Sequence, residues 1–247
     1  MLRRTFLFLR NVGPKTEARL WAAGAADWRD LPRVAANDGR LAGWQRTIDA
    51  AEAALASGDG AWFARRLPSA ALWRLWPEFE SRAVYLDIET TGLSPAWSEV
   101  TVVGLARRGK YHAYVSGFDL ERVPAALEGA GLLVSFNGIS FDLPYLEHAF
   151  RGRLAPRAAH LDLRYLLAHN GYKGGLKAIE HALGWSRPEG VEGLTGFDAV
   201  RLWRAYERGD AASLETLISY NREDVLNLQK LLGVGVSLER DALAAAE

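Results

Sequence analysis

Two carboxylates stand two residues apart at the end of a short apolar segment. Asp87 and Glu89 complete the run that begins at Ala83. Because successive side chains of a β-strand point to opposite faces, both carboxylates would lie on one face. Paired carboxylates repel each other unless a proton or a cation separates them, and hard oxygen ligands suit Mg²⁺ or Mn²⁺. The pair is a candidate metal site, with an exposed acidic strand end as the alternative.

A third carboxylate, Asp142, follows another apolar run. The segment Asn137-Gly138-Ile139-Ser140-Phe141-Asp142 comes directly after Leu132–Phe136, which is typical of a buried strand. This order puts Asp142 in the first turn of a helix. The alternative is helix capping, in which Asn137, Ser140 or Asp142 satisfies free backbone amides.

A fourth carboxylate, Asp224, stands four residues after Tyr220 in an amphipathic helical segment. Residues four apart lie on one face of a helix, so a phenol and a carboxylate can reach one site. An ordinary surface tyrosine and aspartate are the alternative.

The elements around these residues predict two regions that meet near residue 80. The first region, 1–80, is predicted as a small all-helical domain and the second, 81–247, as a mixed α/β domain with three antiparallel strands followed by alternating strands and helices. The predicted helices of the first region run from Pro14 to the Gly24 stop, from the Asp27 cap through Leu31, over 41–56 and over 61–67. The predicted strands of the second region are 83–88, 100–106, 110–115 and 132–136, and its predicted helices are 161–169, 175–183, 197–208, 212–232 and one that begins near Phe141.

In order along the chain, the three acidic segments resemble the exonuclease motifs of the DEDD superfamily. The motifs are Asp-x-Glu-Thr at 87–90, Asn-Gly-x-x-Phe-Asp at 137–142 and Tyr-Asn-x-x-Asp-Val at 220–225. The third motif resembles the tyrosine variant. Residues 82–232 look most like the YprB-like family and are similar to the proofreading domains of family B DNA polymerases. The resemblance implies an RNase H-like mixed sheet with flanking helices and a 3′-to-5′ exonuclease that hydrolyses phosphodiester bonds of DNA or RNA.

The same resemblance implies the site residues. Asp87, Glu89, Asp142 and Asp224 would bind two ions, Mg²⁺ or Mn²⁺, and Tyr220 would orient or help activate the attacking water. An unperturbed tyrosine, with a pKa of about 10, is a poor base, so a hydrogen-bonding role is favoured.

Further residues are candidates for substrate binding, each with packing, capping or a solvated surface as the alternative. Thr90 is expected to contact the terminal nucleotide, and Asn137 and Phe141 a base or sugar. Contacts to a phosphate are expected from Lys173 and Lys177, which flank Gly174-Gly175. For Asp162, capping of the following helix is favoured over a supporting role beside the metals.

The segment from Leu9 to Leu20, with Ala23-Gly24-Ala25 and Trp28 after it, resembles a helix-hairpin-helix motif. Such a tight turn presents backbone amides to a DNA phosphate. The expected DNA contacts are Val12, Gly13 and Lys15, with Arg19 adding charge. The family usually has glycine where Asn11 stands, but asparagine tolerates the left-handed backbone. The alternative is a hairpin that only packs on the nuclease domain.

Composition limits the possible classes of protein. The chain has 30 basic and 30 acidic residues and no cysteine. The lack of cysteine excludes disulfides, thiolate metal sites and cysteine nucleophiles, and favours a reducing cytoplasm. The zero net charge gives no overall basic footprint for nucleic acid. The start of the chain lacks signal-peptide features and no apolar run is bilayer-length, so we expect a cytoplasmic protein that is neither secreted nor membrane-spanning.

The expected partner is nucleic acid that is single-stranded or has a free 3′ end. Two other functions remain open from the sequence. One is a non-catalytic nucleic-acid-binding module that kept the fold, which the intact carboxylates disfavour. The other is a structure-specific endonuclease, since resolvases share this fold and its acidic chemistry.

Overall fold

The computed structural model describes residues 1–152, 154 and 157–245. Its N-terminal region is built from helices joined by short turns. The α-helices of this region are α1 (Pro14–Ala22), α2 (Leu31–Val34), α3 (Leu41–Ser57), α4 (Gly60–Ala64) and α5 (Trp76–Phe79). Short 3₁₀-helices lie at Leu2–Arg4, Trp28–Asp30, Ser69–Leu75 and Glu80–Arg82.

Local chemistry accounts for the ends of these helices. Pro14 is the first residue of α1, where its fixed φ suits a helix and its missing N–H costs nothing. The carboxylate of Asp27 accepts from the amide of Arg29 and caps the next turn. Gly58, with φ at 75°, ends α3 in the left-handed conformation. The predicted start at Pro14 and cap at Asp27 are confirmed, whereas α4 ends at Ala64 and not at the predicted Leu67.

A mixed sheet organises the described residues of the second region, as predicted, and it has five strands where four were predicted. The strands are β1 (Ala83–Thr90), β2 (Val100–Arg107), β3 (Lys110–Val115), β4 (Leu132–Ser135) and β5 (Ala159–Asp162). Their order across the sheet is β3-β2-β1-β4-β5. The β1–β2 and β2–β3 pairs are antiparallel, and the β1–β4 and β4–β5 pairs are parallel.

Helices cover the sheet and connect its strands. They are α6 (Val123–Ala126), preceded by a 3₁₀-turn at Leu120–Arg122, then α7 (Asp142–Phe150), α8 (Leu163–His169), α9 (Leu176–Ala182), α10 (Gly196–Glu207) and α11 (Ala211–Ala245).

Two predictions about these elements were wrong. Residues 161–162 belong to strand β5 and not to the predicted helix 161–169, because a four-residue strand has no readable period and is defined by its parallel pairing with β4. Helix α11 continues past the predicted end at residue 232 to Ala245. The helix passes through Gly235 without a break. An added Cβ at this position would lie only 2.7 Å from Leu166 Cδ2. The glycine serves close packing on α8.

Strand β1 separates two apolar layers. Val84, Leu86 and Ile88 pack on one face against residues of α6 and α7. Tyr85 joins the core on the other face, which also contains Val225 of α11. Since side chains alternate along a strand, Asp87 and Glu89 share the face of Tyr85. The acidic pair therefore points toward the side of the sheet that α11 covers.

The apolar core is continuous across residue 80. Phe63 and Phe79 of the N-terminal region belong to the same buried cluster as Tyr85, Leu132 and Leu163 of the sheet and α8. The assignment of 1–80 and 81–247 to separate domains stays a prediction.

Among the helices in the described residues, none has both the length and the apolar character that crossing a membrane requires.

Candidate active site

Three carboxylates from two elements meet over the sheet. Asp87 and Glu89 come from β1 and Asp224 comes from α11, and one oxygen of each lies within 4.8 Å of the others. Glu89 and Asp224 are buried, whereas Asp87 is partly exposed. One ion can therefore be reached by all three side chains. Closely placed carboxylates repel one another unless a cation or a proton lies between them, so this arrangement is electrostatically unfavourable by itself.

A glycine on β2 allows α11 to come this close. Gly104 pairs with Asp87 across the β1–β2 ladder. A Cβ at Gly104 would lie 1.8 Å from Asn221 Oδ1 and 2.8 Å from Val225 Cγ2, both on α11. Only a residue without a side chain leaves room there for α11, which brings Asp224 to the acidic pair.

The fourth predicted ligand, Asp142, lies beside the three. Its side chain is 3% exposed at the start of α7. The backbone N–H of Ile88, between Asp87 and Glu89 on β1, donates a hydrogen bond to the carboxylate of Asp142. The structure thus brings Asp142 next to β1, outside the group whose oxygens lie within 4.8 Å of one another.

Burial and mutual repulsion favour the protonated forms of these acids. Burial, followed by the charge of Asp224, raises the pKa of Asp87 and of Glu89 well above their usual values. Burial raises the pKa of Asp142 to about 7. Burial also raises the pKa of Asp224, against the opposing charge of Arg187. Such a group of acids binds either protons or cations at neutral pH.

A buried arginine compensates part of this charge. Arg187, in the segment between α9 and α10, donates from Nη2 to Asp224 Oδ1 at 2.5 Å. It also donates from Nε and Nη2 to the carboxylate of Glu180 at 2.7 and 2.8 Å. Asn227 Nδ2 donates to the same carboxylate at 3.0 Å. Arg187 and Glu180 were not predicted as site residues, because neither stands in a recognisable sequence motif.

Asn221 fixes the other side of the group. It is completely buried, and its Nδ2 donates to Asp87 Oδ2 at 2.9 Å. Its Oδ1 accepts from the hydroxyl of Tyr111 on β3 at 2.8 Å. The amide therefore has a defined orientation and holds one oxygen of Asp87. The position of Asn221 in the Tyr-Asn-x-x-Asp segment could have indicated a role at the site, whereas nothing in the sequence indicated one for Tyr111.

Tyr220 and Lys177 meet at the edge of the same group. Lys177 Nζ lies 2.8 Å from the Tyr220 hydroxyl and also donates to the carbonyl of Leu194. Burial raises the pKa of Tyr220 far above its ordinary value, and burial lowers the pKa of Lys177. Tyr220 therefore keeps its proton. Because Lys177 donates to its oxygen, the phenol O–H is free to donate to a further acceptor.

A family model described as the RNase H superfamily matches residues 84–234. The chain belongs to this superfamily. No curated protein matches the chain at a significant level.

Solved structures similar to this chain include Brucella melitensis NrnC and an archaeal polymerase. NrnC bound to pGG is 25% identical with a TM-score of 0.46, over 66% of this chain and 76% of that chain. NrnC with bound Mg²⁺ is 25% identical with a TM-score of 0.45, over 66% and 77%. The family B DNA polymerase from Pyrobaculum calidifontis is 18% identical with a TM-score of 0.47, over 64% and 24%.

The other residues predicted in the RNase H domain lie at the ends of its strands and helices. Thr90 Oγ1 donates to the carbonyl of Gly92 at 2.5 Å, and Phe141 packs against Tyr145 with ring centroids 4.9 Å apart. Asn137 Oδ1 accepts from Arg164 at 2.6 Å. Lys173 is exposed in the turn before α9 and is not among the partners of Tyr220.

Asp162 caps α8, as the sequence analysis favoured. Its carboxylate accepts from the amide of Arg164 at 3.0 Å. It also accepts from the amides of Asn137 at 2.8 Å and Ile139 at 3.1 Å. One carboxylate thus ties the turn before Asp142 to the end of β5. Asn137 has φ at 65°, and the neighbouring Gly138 has no room for a Cβ beside Ser135 Oγ.

The segment around the start of α1, outside the RNase H domain, is anchored by buried contacts. Asn11 has φ at 60°, Gly13 precedes the first residue of α1, and Lys15 is exposed. The side chain of Val12 is buried in the core. Glu17, also buried, accepts from Thr5 Oγ1 at 2.6 Å and from Arg74 Nη1 at 2.9 Å.

The acidic residues of the RNase H domain fit a divalent cation. Within the described part of the chain, the buried Glu89 Oε1 has no hydrogen-bond partner. A buried, unpaired carboxylate oxygen is costly unless a cation or proton satisfies it. The donors are all oxygens, which is the set that Mg²⁺ and Mn²⁺ prefer.

Proposed function

We propose that this chain is a metal-dependent 3′-to-5′ exonuclease of the tyrosine-variant DEDD type, acting on DNA or RNA. One observation carries the proposal: one oxygen each of Asp87, Glu89 and Asp224 lies within 4.8 Å of the others, and Asp142, at the start of α7, lies next to β1. Membership of the RNase H superfamily supports a nuclease. The 3′-to-5′ direction and the YprB-like assignment rest on the resemblance of the three acidic motifs.

Asp87, Glu89, Asp142 and Asp224 would hold two Mg²⁺ or Mn²⁺ ions. When bound, such a pair lowers the pKa of water and stabilises the charge on the attacking and leaving oxygens at phosphorus. Asn221 keeps Asp87 oriented through its 2.9 Å bond, and Arg187 keeps Asp224 oriented through its 2.5 Å bond. The chain thus supplies two positioned ligands before any ion enters.

Tyr220 orients the attacking water in this proposal. Lys177 holds the phenol oxygen at 2.8 Å, and burial keeps the phenol protonated. A fixed O–H donor can hold a water in line with the scissile bond. Because the phenol does not ionise near neutral pH, Tyr220 acts by position and not as the base.

The remaining proposed contacts belong to the substrate. Thr90 would contact the terminal nucleotide, Asn137 and Phe141 would touch a base or sugar, and Lys173 would meet a phosphate. The helix-hairpin-helix-like segment would bind the DNA backbone through the amides near Val12 and Gly13 and through Lys15, which is exposed.

The test uses single strands of DNA and of RNA, labelled at the 5′ end, with Mg²⁺ or Mn²⁺. We expect a ladder of shortened labelled strands and release of nucleoside monophosphates from the 3′ end. Asp87→Asn should abolish the reaction, and Asp49→Asn, at an exposed acid on α3, should leave it unchanged.

Three outcomes would contradict the proposal. In the first, neither metal supports release of mononucleotides. In the second, Asp87→Asn is as active as Asp49→Asn. In the third, circular strands are cut, which would instead indicate an endonuclease.

A further inference from the structure

A cavity of about 390 Å³ lies beside the end of β5, between the N-terminal region and the RNase H domain. Its walls include Leu72 and Trp73 from the first region, and Ile139, His160, Tyr165 and Leu166 from the second. We propose that this cavity binds a nucleobase of the strand that the acidic site cleaves. The inference rests on the proposed function and names a subsite for its substrate.

The walls suit a flat aromatic ligand. Tyr165 is 55% exposed and Ile139 is 52% exposed, and both are large apolar side chains at the mouth of an apolar cavity. Exposed apolar groups at a concave surface mark ligand sites more often than scattered ones do. A free tyrosine ring stacks on any base, which a nuclease without sequence preference requires.

The polar groups of the cavity favour a base over a phosphate. Asp162 and Glu239 are among the lining residues, and their carboxylates would repel an anion. His160 lies 2.8 Å from Ser135 Oγ through Nε2, and burial lowers its pKa, so the imidazole is neutral. Because Nε2 is paired with Ser135 Oγ, Nδ1 is the nitrogen left to form one hydrogen bond with the edge of a base. The sugar and phosphate would stay at the open side.

The cavity and the acidic site share one rigid turn. Ile139 lines the cavity, and Asp142, three residues later, borders the candidate metal site. Three residues span at most about 11 Å, so a strand reaches from one site to the other within a few nucleotides. The turn cannot easily move, because Asp162 holds the amides of Asn137 and Ile139. The distance between Ile139 in the cavity wall and Asp142 at the acidic site is therefore fixed.

The experiment combines an abasic scan with a substitution of the stacking ring. Strands with one abasic nucleotide at the second to sixth position from the 3′ end are compared with the intact strand, and removal of the terminal nucleotide is followed with Mn²⁺. We expect one abasic position to raise KM about tenfold with kcat changed less than about twofold, as loss of one stacked base implies.

Tyr165→Ala should raise KM for the intact strand by the same factor. In that variant the sensitive abasic position should have no further effect, because the ring and the base are partners. Tyr165→Phe should retain the wild-type KM, since stacking needs the ring. Phe118→Ala is the matched control, because Phe118 is 64% exposed and follows β3 at the opposite edge of the sheet.

The outcomes separate this inference from the proposed function. If the wild-type chain degrades the intact strand but every abasic position behaves alike, the nucleobase subsite is wrong and the exonuclease proposal stands. The same holds if Tyr165→Ala matches Phe118→Ala. If the wild-type chain degrades no strand with either metal, both proposals are wrong.

Discussion

Arg187 donates a hydrogen bond of 2.5 Å to Asp224, and both side chains are buried beside the other acids of the site. The guanidinium also donates two hydrogen bonds to Glu180, and these fix its position independently of Asp224. Its Nη1 is buried without a hydrogen-bond partner among the described residues. The site therefore contains a fixed cation of its own that partly balances the acids.

Removal of this internal cation should destabilise the fold. Arg187→Met leaves Glu180 and Asp224 buried without their partner, and we expect the free energy of unfolding to fall by about 3 to 5 kcal/mol in EDTA. Urea unfolding at neutral pH measures the loss. Mn²⁺ should restore part of it by neutralising Asp224.

Arg201→Met provides the control for this prediction. Arg201 is mostly exposed and lies 3.6 Å from Asp198, so its loss should cost less than about 0.5 kcal/mol. Equal urea midpoints for Arg187→Met and Arg201→Met would contradict the structural importance of the buried pair.

Gly104→Ala should disturb the acidic site by pushing α11 away from β2. The new methyl group would meet Asn221 Oδ1 at 1.8 Å, so α11 must shift away from β2. We expect a loss of about 1 to 3 kcal/mol in stability and weaker Mn²⁺ binding, measured by urea unfolding and calorimetry. Gly233→Ala is the matched control within α11, because it has open space and should stabilise the helix by up to about 1 kcal/mol.

Two features of the site were predictable from sequence because they depend on local periods. The spacing of Asp87 and Glu89 on a strand, and of Tyr220 and Asp224 on a helix, decides which side chains share a face. The structure has Asp87 and Glu89 on β1 and Tyr220 and Asp224 on α11. The mixed sheet was predictable for the same reason, since strands and helices differ in period.

Other features depend on contacts between distant segments. Arg187 bonds Asp224 from 37 positions away, and Tyr111 bonds Asn221 from 110 positions away. Neither distance leaves a periodic trace in the sequence. The four-residue β5 was missed for a related reason, because only its pairing with β4 identifies it. Long-range complementarity, unlike local pattern, is visible only after folding.

The metal-free chain should lose stability as the pH rises. The pKa of Asp142 is about 7 in the folded chain, so the folded state holds a proton that the unfolded chain releases near pH 4. Because the folded state binds more protons, stability is complete below about pH 4 and falls as the pH rises to 7. The loss for one such group is roughly 4 kcal/mol at most.

Urea unfolding in EDTA between pH 5 and 8 measures this dependence. Asp142→Asn should make the dependence less steep, because the amide has no proton to lose, while Asp87, Glu89 and Asp224, whose pKa values are also raised, still contribute. With excess Mn²⁺ the slope should reverse, since the ions bind the deprotonated carboxylates. Stability that increases with pH in EDTA would show that these acids are already ionised and satisfied in the metal-free fold.

Lys177 should act through Tyr220. Lys177→Met removes the donor 2.8 Å from the phenol oxygen, so the hydroxyl loses its fixed orientation. We expect kcat for strand degradation to fall about 10- to 100-fold with KM changed much less, as for other partners that orient a reacting group. Tyr220→Phe should show a similar loss. The double variant should be no worse than the worse single variant, because both substitutions remove the same interaction.

Lys110→Met, at an exposed lysine on β3, should retain full activity. Additive losses in the double variant would mean that Lys177 contacts the substrate independently of Tyr220.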